Sequence, residues 1–162
     1  MAQKVNKAMS NECIFEHPFR GSLINYKTNE YPSINSNLHN KLKEKIAKYT
    51  DVNSKNITIT AGGDDAIELC VRNSFKTTKE ENRNIYKYNP SYGFISELGY
   101  NLYSVETPLK NKHKSMELYN PQPGSIIYVC NPCNPTGEVW ETGDYLQLCR
   151  LYPKCTIIVD EA

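Results

Sequence analysis

The stretch "VCNPCNPTGEVW", Val129–Trp140, follows directly on the apolar run Ile126–Val129 and contains two Asn-Pro pairs. A β-strand that reaches two prolines must end there, because proline offers no backbone N–H to a neighbouring strand and keeps the residue before it out of the helical region. The stretch therefore predicts a buried strand that ends in a rigid turn. It also raises the question of what that turn holds in place.

The same succession of strand, turn and helix recurs along the chain. The apolar patterns predict strands at 57–60, 84–88, 102–105, 126–129 and 156–159, and helices at about 38–49, 64–75, 94–100 and 144–151. Short, nearly continuous apolar strands that alternate with helices are typical of a parallel sheet covered on both faces. We therefore expect an α/β fold with three layers, αβα, around a mostly parallel sheet. Residues 1–35 show little periodicity and are expected to form an irregular arm.

Composition limits the classes of partner. The chain has 162 residues, is 39% hydrophobic and 23% charged, and carries a formal net charge of +1, with Lys and Glu mixed along it. No basic face therefore points to nucleic acid or to an acidic membrane. No run approaches the roughly 20 apolar residues that a membrane span requires, and the N-terminus lacks an apolar signal core. We expect a cytoplasmic protein that acts on small molecules.

The six cysteines raise the question of a metal site. Cys130 and Cys133 have the spacing of the first half of a zinc site, but no second pair with that spacing follows. Reduced thiols are the favoured interpretation. A zinc-binding module that uses Cys130 and Cys133 is the least favoured alternative.

Four segments with unusual chemistry come directly after predicted strands: "AGGDD", "NPSYG", "NPCNPTG" and the final "DEA". In open α/β sheets, ligands bind beyond the carboxyl ends of the strands. Because the ends of parallel strands meet at one edge of the sheet, we expect these four segments to form a single site.

Each segment has a possible role and an ordinary alternative. Gly62 and Gly63 precede a helix N-terminus, which suits a phosphate, but the same residues also fit a tight turn capped by Asp64 or Asp65. Tyr92 offers a flat face for an aromatic ring, although most of the 12 tyrosines are expected to pack in the core.

The last two segments add polar groups at strand ends. Asn131 and Asn134 offer amide donors fixed by the prolines after them, although Asn-Pro is also an ordinary turn initiator. Asp160 follows "TIIV", so its carboxylate emerges from a buried strand and requires a cationic partner, such as a protonated ring nitrogen.

A phosphate, an aromatic ring, a phenolate oxygen and a ring nitrogen together describe pyridoxal 5'-phosphate. The segments "TAGGDDAIEL", "NPSYGFISELGY", "NPCNPTGEVW" and "TIIVDEA" resemble those of the class I/II pyridoxal-phosphate-dependent aminotransferases of fold type I. Within that family they look most like the histidinol-phosphate aminotransferase branch. The resemblance runs from about Tyr31 to Ala162 and implies a large domain like that of the pyridoxal-phosphate-dependent transferases.

The resemblance implies roles for individual residues. Backbone N–H groups of Gly63 and Asp64 would bind the phosphate, and Tyr92 would stack on the ring. Asn134 would contact the 3'-oxygen, and Asp160 would pair with the protonated ring nitrogen, which makes the ring an electron sink. The cofactor-binding set is then Gly62, Gly63, Asp64, Tyr92, Asn134 and Asp160.

Two further expectations concern the turn and the arm. The Asn134–Pro135 peptide bond is expected to be cis, as is common for this turn in the family. Tyr31, in "TNEYP", resembles either a residue of an N-terminal arm that closes over the substrate or a tyrosine that reaches the phosphate across a dimer interface.

By the same resemblance, residues 1–35 are an N-terminal arm and 36–162 are part of the cofactor-binding large domain. The family's Schiff-base lysine has no counterpart in these residues, so we expect an incomplete enzyme that is inactive by itself and a homodimer for the complete one. The implied activity is amino-group transfer between an amino acid or histidinol phosphate and a 2-oxoacid. The alternatives are a related decarboxylase, similar to threonine-phosphate decarboxylase, and a non-catalytic remnant that binds the cofactor or another phosphate compound.

Overall fold

The structure, a computed structural model, describes residues 37–106 and 119–162, and the chain divides into two compact units, 1–59 and 60–162. In the first unit, helix α1 spans Asn37–Thr50 and a 3-10 turn spans Ser54–Asn56. The predicted amphipathic helix is present, but none of its residues is buried. The predicted arm, 1–35, lies outside the described residues.

The second unit contains the sheet and its helices. In chain order its elements are helix α2, Gly63–Ser74; strand β1, Asn84–Asn89; strand β2, Asn101–Glu106; strand β3, Ile126–Cys130; helix α3, Thr142–Leu151; and strand β4, Thr156–Asp160. Across residues 37–106 and 119–162, no helix combines the length and apolar character needed to cross a membrane.

The four strands form one parallel sheet in the order β2-β1-β3-β4. This confirms the predicted parallel α/β fold. The chain places β2 on one side of β1 and β3 on the other, so the direction in which the sheet grows reverses between β1 and β3. Such a reversal opens a crevice at the carboxyl ends of the two strands, where open α/β sheets bind ligands.

Strand β3 is the centre of the core and is buried on both faces. Ile126 and Tyr128 pack with α2, whereas Ile127 and Val129 pack on the other face with Leu148 of α3. Successive side chains of a strand point to opposite faces. Burial on both faces therefore explains why this strand reads as an unbroken apolar run.

Two predicted elements are wrong. Residues 57–60 form no strand: Ile57 has extended dihedral angles, but the segment pairs with no strand among the described residues. The predicted helix at 94–100 is a single 3-10 turn, Phe94–Ser96. Gly99, with φ of +74°, turns the chain soon after it, and so short a segment gains too few hydrogen bonds to offset helix nucleation.

Candidate functional site

A cavity of about 330 Å³ lies at the carboxyl ends of β1, β3 and β4 and beside the start of α2. The four segments predicted to converge all contribute to its wall. The six residues predicted to bind a cofactor line it: Gly62, Gly63, Asp64, Tyr92, Asn134 and Asp160. The other lining residues, which were not predicted to bind the cofactor, are Ala61, Ile67, Cys130, Pro132 and Ala162.

Helix α2 begins in the cavity wall. Its first residue follows Gly62, whose backbone angles are φ of +123° and ψ of −175°. Residues other than glycine rarely adopt this conformation. As the N-cap residue, Gly62 has no side chain with which to cap the helix. Because the first N–H groups of a helix have no intrahelical partners and carry the positive end of its dipole, this wall attracts an anion.

Two carboxylates lie in the first turn of α2, and each accepts a hydrogen bond from the chain. Asp65 Oδ2 accepts from the Ala61 N–H at 2.9 Å, and Asp64 Oδ1 accepts from the Tyr92 hydroxyl at 3.0 Å. The hydrogen bond to Asp64 and the charge of Asp64 raise the pKa of Tyr92 above its ordinary value. The Tyr92 hydroxyl therefore remains a donor, and its bond links the turn after β1 to the start of α2.

The two asparagines of the quoted turn have different surroundings. Asn131 is buried; its Oδ1 accepts from the Trp140 N–H at 2.8 Å, and its Nδ2 donates to the Trp140 carbonyl at 3.4 Å. Its amide therefore closes the loop 131–140. Asn134 is exposed at the cavity wall. The local pattern did not distinguish them, because both precede a proline, and only the family resemblance selected Asn134.

Cys133, between the two asparagines, is buried and fixes the turn. Its Sγ donates to the Pro90 carbonyl at 3.0 Å, its N–H donates to Glu138, and its carbonyl accepts from Gly137. This thiol joins the quoted turn to "NPSYG". The peptide bonds before Pro90, Pro132 and Pro135 are cis, the last as predicted.

No group of three or more His, Cys, Asp and Glu side chains within residues 37–106 and 119–162 is arranged to hold a metal ion. The Cys130 thiol donates to the Pro132 carbonyl at 3.4 Å. Thus both thiols of the alternative zinc site form hydrogen bonds to main-chain carbonyls.

Asp160 lies at the end of β4, and both of its carboxylate oxygens accept hydrogen bonds from the chain. Oδ2 accepts from the Tyr128 hydroxyl at 2.6 Å, and Oδ1 accepts from the Ala162 N–H at 3.1 Å. Burial, followed by the hydrogen bond to Asp160, raises the pKa of Tyr128 well above its ordinary value. The phenol therefore stays protonated and donates to the carboxylate throughout the physiological pH range.

The sequence did not identify Tyr128, because its position in an apolar run is typical of a core residue. Tyr31 lies outside the described residues, so the structure does not test the role predicted for it.

Comparisons with known proteins give a consistent result. The family model for aminotransferase class I and II matches residues 7–162. The histidinol-phosphate aminotransferase of Buchnera aphidicola subsp. Melaphis rhois is 32% identical over 147 residues, which are 86% of this chain and 39% of that protein. The chain thus spans less than half of the length of this curated relative.

Two solved structures of histidinol-phosphate aminotransferases have a similar fold. The enzyme from Sinorhizobium meliloti, in complex with pyridoxal 5'-phosphate, has a TM-score of 0.60 at 20% identity over 76% of this chain and 34% of that one. The enzyme from Clostridium acetobutylicum has a TM-score of 0.58 at 21% identity over 77% and 37%.

Proposed function

Because the chain belongs to the class I and II aminotransferase family, we propose that it forms the cofactor-binding part of an aminotransferase. Membership of this family supports pyridoxal 5'-phosphate as the cofactor. The chemistry of the cavity fits this group: a helix N-terminus for the phosphate, an aromatic side chain for the ring, and an amide and a carboxylate for the ring's polar atoms. Its volume, about 330 Å³, lies at the lower end of the range for small-molecule sites.

The phosphate end of the proposed site is the start of α2. Backbone N–H groups of Gly63 and Asp64 are the proposed donors, because first-turn N–H groups have no intrahelical partner. The Asp64 carboxylate is a potential source of repulsion beside a phosphate. Its hydrogen bond with Tyr92 supports the proposal, because that contact engages one carboxylate oxygen with a donor of the chain.

Tyr92 and Asn134 are the proposed contacts to the ring. Tyr92 would present its ring face to the cofactor, while its hydroxyl is held by Asp64 at 3.0 Å. Asn134 would donate its amide to the 3'-oxygen. Its neighbour Cys133 supports this role, because the buried thiol anchors the turn through the Pro90 carbonyl and so limits the movement of Asn134.

The arrangement of Asp160 carries the proposal. When bound, pyridoxal 5'-phosphate with a protonated ring nitrogen withdraws electrons from the α-carbon of an amino acid. Asp160 would hold the proton on that nitrogen. A carboxylate that lines a cavity while two donors of the chain hold it from within, Tyr128 and the Ala162 N–H, is placed to accept a hydrogen bond from a cationic ligand.

The substrates, the domain division and the assembly are further parts of the proposal. We propose transfer of the amino group of histidinol phosphate, or of another amino acid, to a 2-oxoacid, because curated relatives of the chain are histidinol-phosphate aminotransferases. Residues 1–35 would form the arm and 36–162 part of the large domain of a homodimeric enzyme.

The test begins with the polypeptide isolated from its own source, whose intact mass is compared with the 18.5 kDa of this chain. That polypeptide is then assayed with pyridoxal 5'-phosphate, histidinol phosphate and 2-oxoglutarate. The proposal predicts binding of the cofactor and formation of glutamate. Release of carbon dioxide from an amino-acid phosphate would indicate a decarboxylase instead. Cofactor binding without either reaction would indicate a remnant, and absence of binding would contradict the proposal as a whole.

A further inference from the structure

We propose that Tyr128 is a positioning residue for the cofactor's ring nitrogen: its hydroxyl holds the Asp160 carboxylate so that the unused lone pairs face the cavity. This deepens the proposed function and rests on it. Tyr128 does not line the cavity itself and would act only through Asp160.

The sheet register brings the two side chains together. Tyr128 pairs with Ile158 on β4, and Cys130 pairs with Asp160. Tyr128 and Asp160 are therefore diagonal neighbours on the same face of the sheet, a separation that a tyrosine side chain can bridge. The register thus directs a hydroxyl from the core toward the carboxylate.

The Tyr128 side chain is held firmly. It is fully buried and belongs to the cluster on the α2 face, where it packs with Ile126, Ile158 and Ile67. The O···O distance of 2.6 Å lies in the range of charge-assisted hydrogen bonds to a carboxylate. A rigid donor at this distance restricts rotation of the Asp160 carboxyl group.

The Asp160 carboxylate can accept further hydrogen bonds from a ligand. An ionised carboxylate has about four lone-pair sites. The Tyr128 hydroxyl uses one on Oδ2 and the Ala162 N–H uses one on Oδ1. Each oxygen keeps a site, so a ring N–H in the cavity gains a partner whose orientation is already set, and less entropy is lost on binding.

An ordinary core role for Tyr128 makes a different prediction. A core residue affects the stability of the whole site, so its substitution weakens every ligand to a similar extent. A positioning residue affects only ligands with a ring N–H. Pyridoxal 5'-phosphate and its analogue with a C–H in place of the ring nitrogen distinguish these two cases.

The experiment compares the affinities of the two ligands in the full polypeptide. Tyr128→Phe keeps the packed ring and removes the hydroxyl. Tyr86→Phe is the matched control, because Tyr86 is a buried tyrosine in the cluster on the opposite face of the sheet. We expect Tyr128→Phe to weaken pyridoxal 5'-phosphate by about tenfold, the scale of one charged hydrogen bond, and to leave the carbon analogue unchanged. Tyr86→Phe is expected to change neither.

A second pair of variants tests whether Tyr128 acts through Asp160. In the Asp160→Asn background, adding Tyr128→Phe should cause no further loss of affinity for pyridoxal 5'-phosphate. Equal weakening of both ligands by Tyr128→Phe, or an undiminished effect in the Asp160→Asn background, would overturn the inference. If the wild-type protein does not bind pyridoxal 5'-phosphate, the proposed function itself fails. If it binds and Tyr128→Phe has no effect, only the role of Tyr128 fails.

Should Tyr128→Phe not fold, the wild-type protein provides the test. Its proton NMR spectrum should contain a tyrosine hydroxyl resonance that is protected from exchange and that shifts or disappears in Asp160→Asn. A spectrum in which Asp160→Asn leaves every hydroxyl resonance unchanged would overturn the inference.

Discussion

The Tyr128 hydroxyl donates a 2.6 Å hydrogen bond to Asp160, and so connects the fully buried centre of strand β3 to the wall of the cavity. The bond requires the parallel register of β3 and β4, which places Cys130 opposite Asp160. The orientation of a half-buried carboxylate in the cavity wall is thus set by the packing of the core beneath it.

In the complete aminotransferase that we propose, removing the Asp160 carboxylate should abolish activity. In Asp160→Ala the ring nitrogen loses its partner, and the Tyr128 hydroxyl loses the acceptor that the structure shows. We expect the transaminase rate to fall at least about a hundredfold, the scale seen when one preorganised electrostatic contact is removed. Steady-state kinetics measure this, with Glu161→Gln as the control because Glu161 is the exposed neighbour. Near-normal turnover of Asp160→Ala would contradict the assigned role.

Tyr92 should matter for its ring more than for its hydroxyl. Tyr92→Phe keeps the ring and loses only the hydrogen bond to Asp64, so we expect the affinity for pyridoxal 5'-phosphate to change by less than about fivefold. Tyr92→Ala removes the ring face and should weaken binding by roughly tenfold or more. Fluorescence titration measures both. An equal loss in the two variants would show that the hydroxyl, and not the ring, makes the contact.

Substitution of the two asparagines of the turn should have different effects, on protein stability in one case and on cofactor binding in the other. Asn131→Ala removes the buried amide that forms two hydrogen bonds with the Trp140 backbone. We expect a loss of about 1–3 kcal/mol in the free energy of unfolding. Asn134→Ala, at an exposed position, should change stability little and weaken cofactor binding.

Denaturant unfolding and cofactor titration on both asparagine variants test this separation. If Asn134→Ala were the more destabilising of the two, the assignment of their roles would be wrong.

The two glycines before α2 should respond differently to alanine. Gly62→Ala places a side chain at φ of +123°, a strained conformation, and should cost about 1 kcal/mol or more. At Gly63 an added Cβ would lie 3.5 Å from the Ala162 Cβ, an ordinary contact, so Gly63→Ala should be close to neutral. Urea unfolding of the two variants measures the difference. Equal destabilisation would show that crowding, and not the dihedral angle of Gly62, limits this turn.

Alkaline pH should destabilise the fold through Tyr145. Its buried hydroxyl has no hydrogen-bond partner within residues 37–106 and 119–162, and burial, with the charge of Glu161, raises its pKa to about 12. Between about pH 10, the ordinary value for tyrosine, and 12 the unfolded chain loses this proton while the folded chain keeps it. The folded state then binds more protons, so its stability falls as the pH rises.

Unfolding free energies at pH 8, 10 and 11 measure this effect. Tyr145→Phe should make the decline above pH 10 shallower, whereas Tyr49→Phe, at a residue 91% exposed, should leave the decline unchanged. An unaltered decline in Tyr145→Phe would exclude Tyr145 as its source.

The sequence predicted those strands and turns that can be recognised from runs of buried apolar residues. The apolar runs predicted the parallel sheet, and the turns after β1, β3 and β4 predicted the convergence of three segments on one cavity. The segment "AGGDD" also lines this cavity, although the strand predicted before it does not form. The apolar patterns were wrong for residues 57–60. An alternating apolar pattern indicates that one face of a segment tends to be buried, but it does not show that a neighbouring strand is present to pair with it. The patterns failed again at 94–100, where the 3-10 turn Phe94–Ser96 is too short to be a helix and Gly99 redirects the chain soon after it.

The remaining features depend on tertiary contacts between distant residues. Asn131 and Asn134 have the same local context, and only the position of Trp140 decides which amide closes the loop. Cys133 and Tyr128 have partners in other segments, Pro90 and Asp160, that no local pattern indicates.

The most direct test of the proposed cofactor site is a crystal structure of the protein with pyridoxal 5'-phosphate. We expect the phosphate at the first turn of α2 and the ring nitrogen within hydrogen-bonding distance of the Asp160 carboxylate, while the Tyr128 hydroxyl remains bonded to Asp160. A cofactor bound elsewhere, or bound here with its ring nitrogen away from Asp160, would contradict it.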